Sequence, residues 1–339
     1  MTNSDAAPLT PERILQFAWG YAPPLILEAA IRHRVFDVLD SGPKTIEEVR
    51  RETGASERGL TAIMNVLVGL NFLAKDDRSR FSLTPESAAF LVSTKPGFQG
   101  GMIRHCSEHL VPKWLHLNEI VATGKPVEAV NEETTGSGFF EKFVNDIFPM
   151  SYPAAQKLAQ HLNFNASGGP IRVLDLAAGS GVWGIALAQS NERVHVTAVD
   201  WPQVIPVTRN TVARFGLADR FSFIEGDLLE AEFGKDYTVA TLGHILHSEG
   251  EERSRALLAK TFGALGSGGT IAIAEFLANA DRRGPVNALL FAVNMLVNTE
   301  SGNTYSFEEI STWLGEAGFQ DARTVEGPGP SPLILATKA

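Results

Sequence analysis

Residues 171–184, IRVLDLAAGSGVWG, contain the pattern that decides the fold. An apolar run rich in β-branched and leucine residues includes one acid, Asp175, and is followed by Gly179-Ser180-Gly181 and a segment of helical composition. This order predicts a buried strand, a tight glycine turn and the start of a helix. Glycine lets the backbone approach a ligand closely, and the free N–H groups of a helix start attract its polar groups. The stretch therefore predicts a site for a nucleotide-like cofactor.

The chain after this stretch alternates between strands and helices. Strands are predicted at 171–176, 194–200, 221–227, 237–244 and 269–276, with helical segments between them. This alternation is typical of an α/β fold with a parallel sheet. A helical insert at 285–298 and a helix at 306–318 follow. Two final strands around Gly327–Pro330 are too close for a crossover helix and should pair antiparallel. The sequence predicts a Rossmann-like, seven-stranded sheet with an antiparallel terminal strand.

The first part of the chain has a different pattern. Residues 11–92 have helical periodicity, with Thr45 and Ser56 as predicted helix caps, and end in a hairpin around residues 76–79. Three helices before a hairpin are typical of a winged helix. The predicted organisation is a winged-helix domain over 1–100, a helical bridge over 101–168 and a cofactor domain over 169–339.

The charge pattern argues against nucleic acid as a partner. The whole chain has a formal net charge of −10, and residues 1–100 contain 11 Lys and Arg against 12 Asp and Glu. The candidate recognition helix, 56–71, offers only Arg58 as a cation, whereas DNA binding needs several. A helix apolar on most of its surface is better explained by burial against a second subunit, so a homodimer is expected.

Other composition features concern the compartment. The single Cys106 excludes an intramolecular disulfide and a multi-cysteine zinc site. The N-terminal residues show no signal-peptide pattern, and no apolar stretch approaches the roughly 20 residues that span a bilayer. A cytoplasmic protein with no membrane partner is therefore expected.

The glycine loop allows two interpretations. Residues 179–184 match the GxGxxG motif, and Asp200 ends the next strand, which suits a dinucleotide. However, Asp175 at the first strand end suits a ligand with a positive amino group, and Asp227 after the third strand can reach an adenine amino group. The antiparallel terminal pair is also foreign to the usual dinucleotide-binding sheet. An NAD(P)-dependent oxidoreductase stays the alternative interpretation.

An ordered set of motifs carries a family resemblance over nearly the whole chain from about residue 12. The set comprises VLDLAAGSG (173–181), AVDWP (198–202), EGDLLE (225–230), GHILHSEGEERSRALL (243–258), FFEKFVNDIFPMS (139–151) and the two final strands. The chain resembles the class I S-adenosylmethionine-dependent O-methyltransferases of the plant caffeate/hydroxyneurosporene/acetylserotonin type. These have an N-terminal winged-helix dimerisation domain. The resemblance implies S-adenosylmethionine as the cofactor and a small hydroxylated molecule as the acceptor.

The resemblance also implies the cofactor contacts. They are Gly179, Gly181, Asp200, Trp201, Asp227 and Leu228, and the acid at the strand end adds Asp175. The glycine turn would hold the methionine part, Asp200 the ribose hydroxyls, and Asp227 with Leu228 the adenine, on which Trp201 could stack. Ala177 stands where the family has its first loop glycine. An alanine fits there if its φ is negative, so an altered loop geometry is expected.

His247 is the predicted general base. It follows the fourth strand and should lie at the carboxyl edge of the sheet, where ligands bind in such folds. The resemblance implies that Leu246-His247 matches the family's leucine-histidine pair and that Glu275, after the fifth strand, orients the histidine. Ser248-Glu249 and Thr304 depart from the family, which has Asp-Trp and a second glutamate there. Methyl transfer to carbon or nitrogen, or a repurposed activity, therefore stays open.

The resemblance also implies an acceptor pocket formed by the helical insert at 285–298 and by helices of the bridge. Its wall would consist of Phe143, Phe148, Met150, Phe291, Met295 and Asn298. An apolar wall with a few polar points suits a flat aromatic or polyketide-like acceptor. Acidic residues show no metal-ligand spacing, so no metal is expected.

Overall fold

The computed structural model describes residues 9–131, 133–162, 164, 168–329 and 331–339. The chain divides into two compact units, one ending at Val111 and one beginning at Pro112. Most of the bridge expected at 101–168 thus belongs to the second unit. The functional assignment of the three predicted segments stays a prediction.

The first unit is mostly helical. Its helices are α1 (Glu12–Ala18), α2 (Ala22–Arg32), α3 (Val35–Leu39), α4 (Ile46–Thr53), α5 (Glu57–Gly69), α6 (Pro85–Phe90) and α7 (Gly100–His105), with a π-helical turn at Cys106–Leu110. Its two strands in the described residues, β1 (Leu73–Lys75) and β2 (Phe81–Leu83), form an antiparallel hairpin around the predicted turn. Thr45 and Ser56 cap α4 and α5 as predicted, because each side chain accepts a backbone N–H of the first turn.

The expectation that no apolar stretch approaches the length of a membrane span was wrong for this unit. Within the described residues, the helical run Glu12–Arg32 is long and apolar enough to cross a membrane by length and composition, although only 6% of its apolar window is buried. The run is not one helix in the secondary structure, because α1 ends at Ala18 and α2 begins at Ala22. Its exposed apolar side chains include Ile14, Phe17 and Trp19.

The second unit is an α/β unit. Its strands are β3 (Ile171–Leu176), β4 (Val194–Asp200), β5 (Phe221–Glu225), β6 (Tyr237–Gly243), β7 (Leu265–Ala274), β8 (Phe319–Val325) and β9 (Leu333–Lys338). Its helices are α8 (Val111–Trp114, which includes the last residue of the first unit), α9 (Leu117–Thr123), α10 (Glu133–Asp146), α11 (Phe148–Leu162), α12 (Val182–Ser190), α13 (Ile205–Arg214), α14 (Leu246–Ala264), α15 (Val286–Asn298) and α16 (Phe307–Ala317).

The described residues form the predicted seven-stranded sheet, in the order β5-β4-β3-β6-β7-β9-β8. Strands β3 to β7 are parallel, and β9 pairs antiparallel with both β7 and β8. The fold class predicted from the sequence is therefore confirmed. Parallel strands are buried on both faces, which explains why their near-continuous apolar runs were recognisable.

The sheet topology fixes where a ligand can bind. The chain proceeds outward from β3 through β4 to β5 and then returns to β6 on the other side of β3. This reversal opens a crevice at the carboxyl ends of β3 and β6. The loops after β3, β4, β5, β6 and β7 all reach this edge, and they contain the residues of the predicted site.

Candidate active site

The predicted base and its acid meet at the carboxyl edge of the sheet. His247 lies in the first turn of α14, after β6, and Glu275 directly follows β7. The ring Nδ1 of His247 lies 2.8 Å from Oε2 of Glu275, and the backbone N–H of His247 donates to Oε1 over 3.2 Å. Both side chains are buried. Glu275 therefore fixes the position of His247 through two separate contacts.

The charge on Glu275 determines which ring nitrogen is protonated. Burial alone would raise the pKa of this carboxyl, but the His247 ring and its hydrogen bond outweigh burial and hold the pKa below its ordinary value. An ionised carboxylate only accepts hydrogen bonds, so the proton of a neutral His247 ring belongs on Nδ1. In the described residues Nε2 has no hydrogen-bond partner, and its lone pair is available for an incoming proton.

Aromatic rings surround this pair. The Phe291 ring, on α15, meets the His247 ring edge to face with centroids 4.9 Å apart, and the Phe276 ring lies 4.1 Å from that of Phe291. Phe276 directly follows Glu275 in the sequence and was not predicted as a site residue. Its position after a strand-end acid was the available signal.

A second histidine closes one side of the cluster. His244 has a left-handed φ of 63°, and its Nε2 lies 2.8 Å from the Ser331 hydroxyl. Burial lowers the pKa of His244 to about 4, so its ring is neutral at pH 7. Its ring lies 6.3 Å from that of Trp183 and 5.3 Å from that of Phe276. His244 packs beside His247 and supplies no charge there.

The glycine loop after β3 has the expected place but an unexpected conformation. Gly179 and Gly181 have φ values of 56° and 78°, and α12 begins directly after Gly181. Ala177 has a φ of 51°, so the expectation of a negative φ at this alanine was wrong. The loop keeps the backbone conformation that favours glycine, although an L-residue there costs about 1–2 kcal/mol.

Asp200 connects the next strand to this loop. Its Oδ2 accepts the Gly179 N–H over 2.7 Å, and its Oδ1 accepts the Trp201 N–H over 2.8 Å. Burial raises the pKa of Asp200 to about 6. The Trp201 ring packs edge-on against Phe140 of α10, with centroids 5.7 Å apart. The structure thus brings Asp200 and the glycine turn together, with Trp201 beside them.

Asp175 lies beneath the loop and is fully buried. Its Oδ2 accepts the Gly184 N–H over 3.0 Å, and its Oδ1 accepts the Thr241 hydroxyl over 2.6 Å. Both oxygens thus have protein partners, and solvent reaches neither. In this conformation a cofactor has no open path to the Asp175 carboxylate, although the sequence suggested a direct contact between them.

The loop after β5 is attached to α14. Asp227 Oδ1 accepts the Leu229 N–H over 2.8 Å, and Oδ2 accepts an N–H of Arg253 over 2.7 Å. Leu228 is buried, and its carbonyl accepts from Lys260 over 3.0 Å. The hydrogen bond from Gly226 N–H to the Asp200 carbonyl, at 3.0 Å, keeps this loop beside the end of β4.

The predicted pocket residues do not all come together. Of the bridge residues, Phe143 packs on α10 with Phe139 at 5.2 Å, whereas Phe148 stacks on Tyr152 and Phe215 at 5.1 and 5.4 Å. Those ring contacts are with the helices covering the sheet, not with His247. Met150 is partly buried on α11.

The α15 residues form a hydrogen-bonded wall. Asn298 donates to the Asn294 carbonyl and side-chain oxygen over 2.9 and 3.1 Å, and Trp114 Nε1 donates to the same side-chain oxygen over 3.1 Å. Met295 is buried one turn before Thr299. Asn294 and Trp114 were not predicted from the sequence. The spacing of Asn294 relative to Phe291 and Asn298, three and four residues, was a signal for one helix face.

The three residues at which this chain departs from the family have hydrogen-bond or ion-pair partners in the structure. Ser248 donates its hydroxyl to the Ile245 carbonyl over 3.2 Å, and Glu249 pairs with Arg253. Thr304 is buried and donates to the Ala288 carbonyl of α15 over 3.2 Å. Within the described residues, Glu275 is the carboxylate that hydrogen-bonds His247. No described group of three or more His, Cys, Asp or Glu side chains could hold a metal, and the expected absence of a metal stays a prediction.

Two family models match most of the chain. Residues 114–320 match the family model for an O-methyltransferase domain, and residues 15–93 match that for an O-methyltransferase dimerisation domain. A 3-hydroxy-5-methyl-1-naphthoate 3-O-methyltransferase from Streptomyces sahachiroi is 29% identical over 97% of this chain and 96% of its own. A tetracenomycin polyketide synthesis 8-O-methyltransferase from Streptomyces glaucescens is 26% identical over 97% of both chains.

The fold is also that of a solved relative. The crystal structure of human N-acetylserotonin methyltransferase in complex with S-adenosylmethionine superposes with a TM-score of 0.86 at 23% identity, covering all of both chains. These matches favour S-adenosylmethionine over the dinucleotide interpretation of the glycine loop. The chain belongs to the O-methyltransferase family and is an S-adenosylmethionine-dependent methyltransferase with a dimerisation domain.

Proposed function

We propose that the enzyme methylates a hydroxyl group of a small aromatic or polyketide-like molecule, with His247 as the general base. The observation that carries the proposal is the hydrogen bond between His247 Nδ1 and Glu275 Oε2, because it leaves Nε2 to accept a proton. The acceptor oxygen gains the methyl group while its proton moves to Nε2. Glu275 stabilises the imidazolium that forms.

The loops around the crevice fit the proposed cofactor. Asp200 and Asp227 present carboxylate oxygens for ribose hydroxyls and an adenine amino group, and the turn at Gly179 and Gly181 leaves room for close approach. When bound, S-adenosylmethionine supplies a methyl group on a sulfonium sulfur. Trp201 and Leu228 are the proposed apolar neighbours of adenine. We assign Asp175 an indirect role, because both its oxygens hold the protein together beneath the loop.

The aromatic cluster supports a flat acceptor. Rings of Phe276 and Phe291 lie against His247, so an aromatic ring whose hydroxyl reaches Nε2 would stack on apolar surface. Asn294 and Asn298 add amide groups on the same side of α15. The acceptors named for the two bacterial relatives, a naphthoate and a polyketide, are aromatic or polyketide-like. Phe143, Phe148, Met150 and Met295 stay proposed pocket residues.

The dimer proposal rests on the first unit. Its α1 and α2 expose apolar side chains, and the dimerisation match covers most of both helices. We propose that a second copy of this chain covers them and that the helices and hairpin form a winged helix used for dimerisation. The acidic charge of the chain favours neither DNA nor a membrane surface as partner. We propose a cytoplasmic location on the sequence features alone.

A binding and turnover assay tests the function. The wild-type enzyme is mixed with S-adenosylmethionine and a panel of hydroxynaphthoates and hydroxylated polyketides, and products are analysed by mass spectrometry and NMR. We expect O-methyl products and calorimetric binding of S-adenosylhomocysteine. A product methylated on carbon or nitrogen would instead establish the alternative methyltransferase activity. Binding of NAD(P) without S-adenosylhomocysteine would contradict the proposal.

The role of the base is tested by substitution. His247→Ala should lower kcat about 100-fold or more while changing the Kd for S-adenosylhomocysteine less than about twofold. His195→Ala removes an exposed histidine of β4 and serves as the matched control. Unchanged turnover of His247→Ala would exclude the base role.

A further inference from the structure

We infer that Arg253 is a positioning residue for adenine recognition, which it serves by orienting the Asp227 carboxylate. This inference rests on the proposed role of Asp227 toward the adenine amino group. Arg253 lies on α14, 26 residues after Asp227, and touches none of the predicted cofactor residues except Asp227 by side-chain hydrogen bond or ion pair in the described structure.

Arg253 holds two carboxylates at once. Its Nη2 donates to Asp227 Oδ2 over 2.7 Å, and its Nε donates to Glu249 Oε2. Because Nε and Nη2 belong to one planar guanidinium, the two acids must lie close together. Glu249 is buried, with its side chain 7% exposed, whereas Asp227 is 27% exposed. The cation therefore separates a buried acid from one that still reaches the crevice.

The contacts of Asp227 leave it little freedom. Oδ1 is held by the Leu229 N–H and Oδ2 by Arg253, so both oxygens have fixed positions. Each carboxylate oxygen can accept a second hydrogen bond, and the exposed part of the side chain is where a ligand amino group can donate. Without Arg253, Oδ2 of Asp227 would lose this donor, and the carboxylate would be held by the Leu229 N–H on Oδ1.

The same cation stabilises a break in α14. The helix is interrupted at Gly250, whose φ of 78° and ψ of 170° are not helical. Glu249 precedes the break and Arg253 follows it, so their pair joins the turn that carries His247 to the body of the helix. Glu249 and Ser248 stand where the resembling family has Trp and Asp. Arg253 thus connects two segments, the turn that contains His247 and the loop after β5.

Lys260 provides a useful contrast. It lies two turns further along α14 and donates to the carbonyls of Leu228 and Ala231 over 3.0 and 2.6 Å. Lys260 therefore fixes the backbone of the same loop, whereas Arg253 fixes the carboxylate. The two substitutions separate loop position from carboxylate orientation.

The test compares two ligands that differ at one group. S-adenosylhomocysteine has a 6-amino group that can donate to Asp227, and its 6-deamino purine analogue has only a hydrogen atom at that position. Calorimetry on wild type should give a preference for the amino ligand of about tenfold or more, since a polar site strongly rejects a mismatched group. In Arg253→Met the Kd for S-adenosylhomocysteine should rise about tenfold and the preference should fall below about threefold.

Three further variants make the result specific. Arg255→Met is the matched control, because Arg255 lies on the same helix with pairs to Glu251 and Glu316 and has similar exposure, and it should change neither quantity. Arg253→Lys should recover part of the preference, which a general loss of packing would not do. Lys260→Met should weaken both ligands and keep the preference.

The outcomes are distinguishable. An unchanged preference in Arg253→Met overturns the inference, and if that variant does not fold, the same result in Arg253→Gln, which also removes the positive charge, does so. Asp227→Asn separates this failure from that of the proposed function. If wild type binds both ligands equally and Asp227→Asn changes nothing, Asp227 does not recognise adenine, and the role of Arg253 fails with it.

Discussion

The Asp175 carboxylate accepts the Gly184 N–H over 3.0 Å, and a Cβ on Gly184 would lie 2.9 Å from the same oxygen. Strand β3 and helix α12 therefore lie close together because Gly184 has no side chain, and one hydrogen bond joins them at this point. Because Thr241 of β6 donates to the other oxygen, Asp175 joins three elements beneath the cofactor loop.

Asp175→Asn should stabilise the protein in a pH-dependent way. Burial raises the pKa of Asp175 to about 7, against an ordinary value of 3.8, so wild type loses stability as the pH rises from about 4 to 7. Asparagine keeps the shape, has an oxygen for Gly184 and has no charge to bury. The Tm difference between variant and wild type should therefore be larger at pH 8 than at pH 5, by the equivalent of about 1 kcal/mol or more.

Calorimetry on the same variant tests the contact suggested by the sequence. Since Asp175 is fully buried, Asp175→Asn should change the Kd for S-adenosylhomocysteine less than about threefold. The exposed Asp219→Asn is the control for both measurements. A much weaker affinity without a change in fold would mean that Asp175 contacts the cofactor directly.

Gly184→Ala should destabilise the protein. The added Cβ would lie 2.8 Å from Val196 Cγ1 and 2.9 Å from Asp175 Oδ2, so helix and strand must separate, at a cost of about 1–3 kcal/mol. Gly315→Ala on α16 is the matched control, because its Cβ would meet nothing within 4 Å, and it should stabilise by up to about 1 kcal/mol. Urea unfolding of both variants measures these changes. Equal effects of the two alanines would contradict this account of the interface.

The parts of the fold that were predictable have local causes. The strands at 171–176 and 194–200 match their predicted bounds because a buried parallel strand is a continuous apolar run. His247 and Glu275 were found because both follow such runs, and parallel topology brings strand ends to one edge. The helix caps at Thr45 and Ser56 are likewise set by neighbours three residues away.

What was missed depends on contacts between distant residues. Trp114 and Asn294 are 180 positions apart, and Arg253 and Asp227 are 26 apart. Neither contact can therefore be predicted from a local periodic pattern in the sequence. The stacking of Phe148 on Phe215 likewise depends on how α11 packs. The positive φ of Ala177 was missed because residue type usually indicates such conformations, and alanine rarely adopts them.

Ala177→Gly should stabilise the protein modestly. Glycine removes the cost of about 1–2 kcal/mol that an L-residue has in the left-handed conformation. It also destabilises the folded state by about 0.5–1 kcal/mol, because glycine loses more conformational entropy on folding. The net gain should be about 1 kcal/mol or less, measured by urea unfolding. Ala178→Gly, at a neighbouring buried position without a positive φ, should instead destabilise. A loss of stability in Ala177→Gly would contradict the strain at this residue.

Glu275→Gln should disable the base without removing the cofactor site. The glutamine amide has one acceptor and one donor group, whereas Glu275 accepts from both the ring and the backbone of His247. An amide N–H facing Nδ1 favours the tautomer with its proton on Nε2, which cannot accept another proton. We expect kcat to fall about 100-fold or more, and the Kd for S-adenosylhomocysteine to change less than about twofold.

Ring ¹⁵N shifts measure the tautomer of His247 directly and need no acceptor. Wild type should show protonated Nδ1 and unprotonated Nε2, and Glu275→Gln should shift the population toward protonated Nε2. Glu251→Gln, whose carboxylate pairs with Arg255 on the outer face of α14, should leave both the tautomer and kcat unchanged. A wild-type tautomer in Glu275→Gln together with reduced kcat would mean that the negative charge of Glu275, rather than its orientation of the ring, supports the proton transfer.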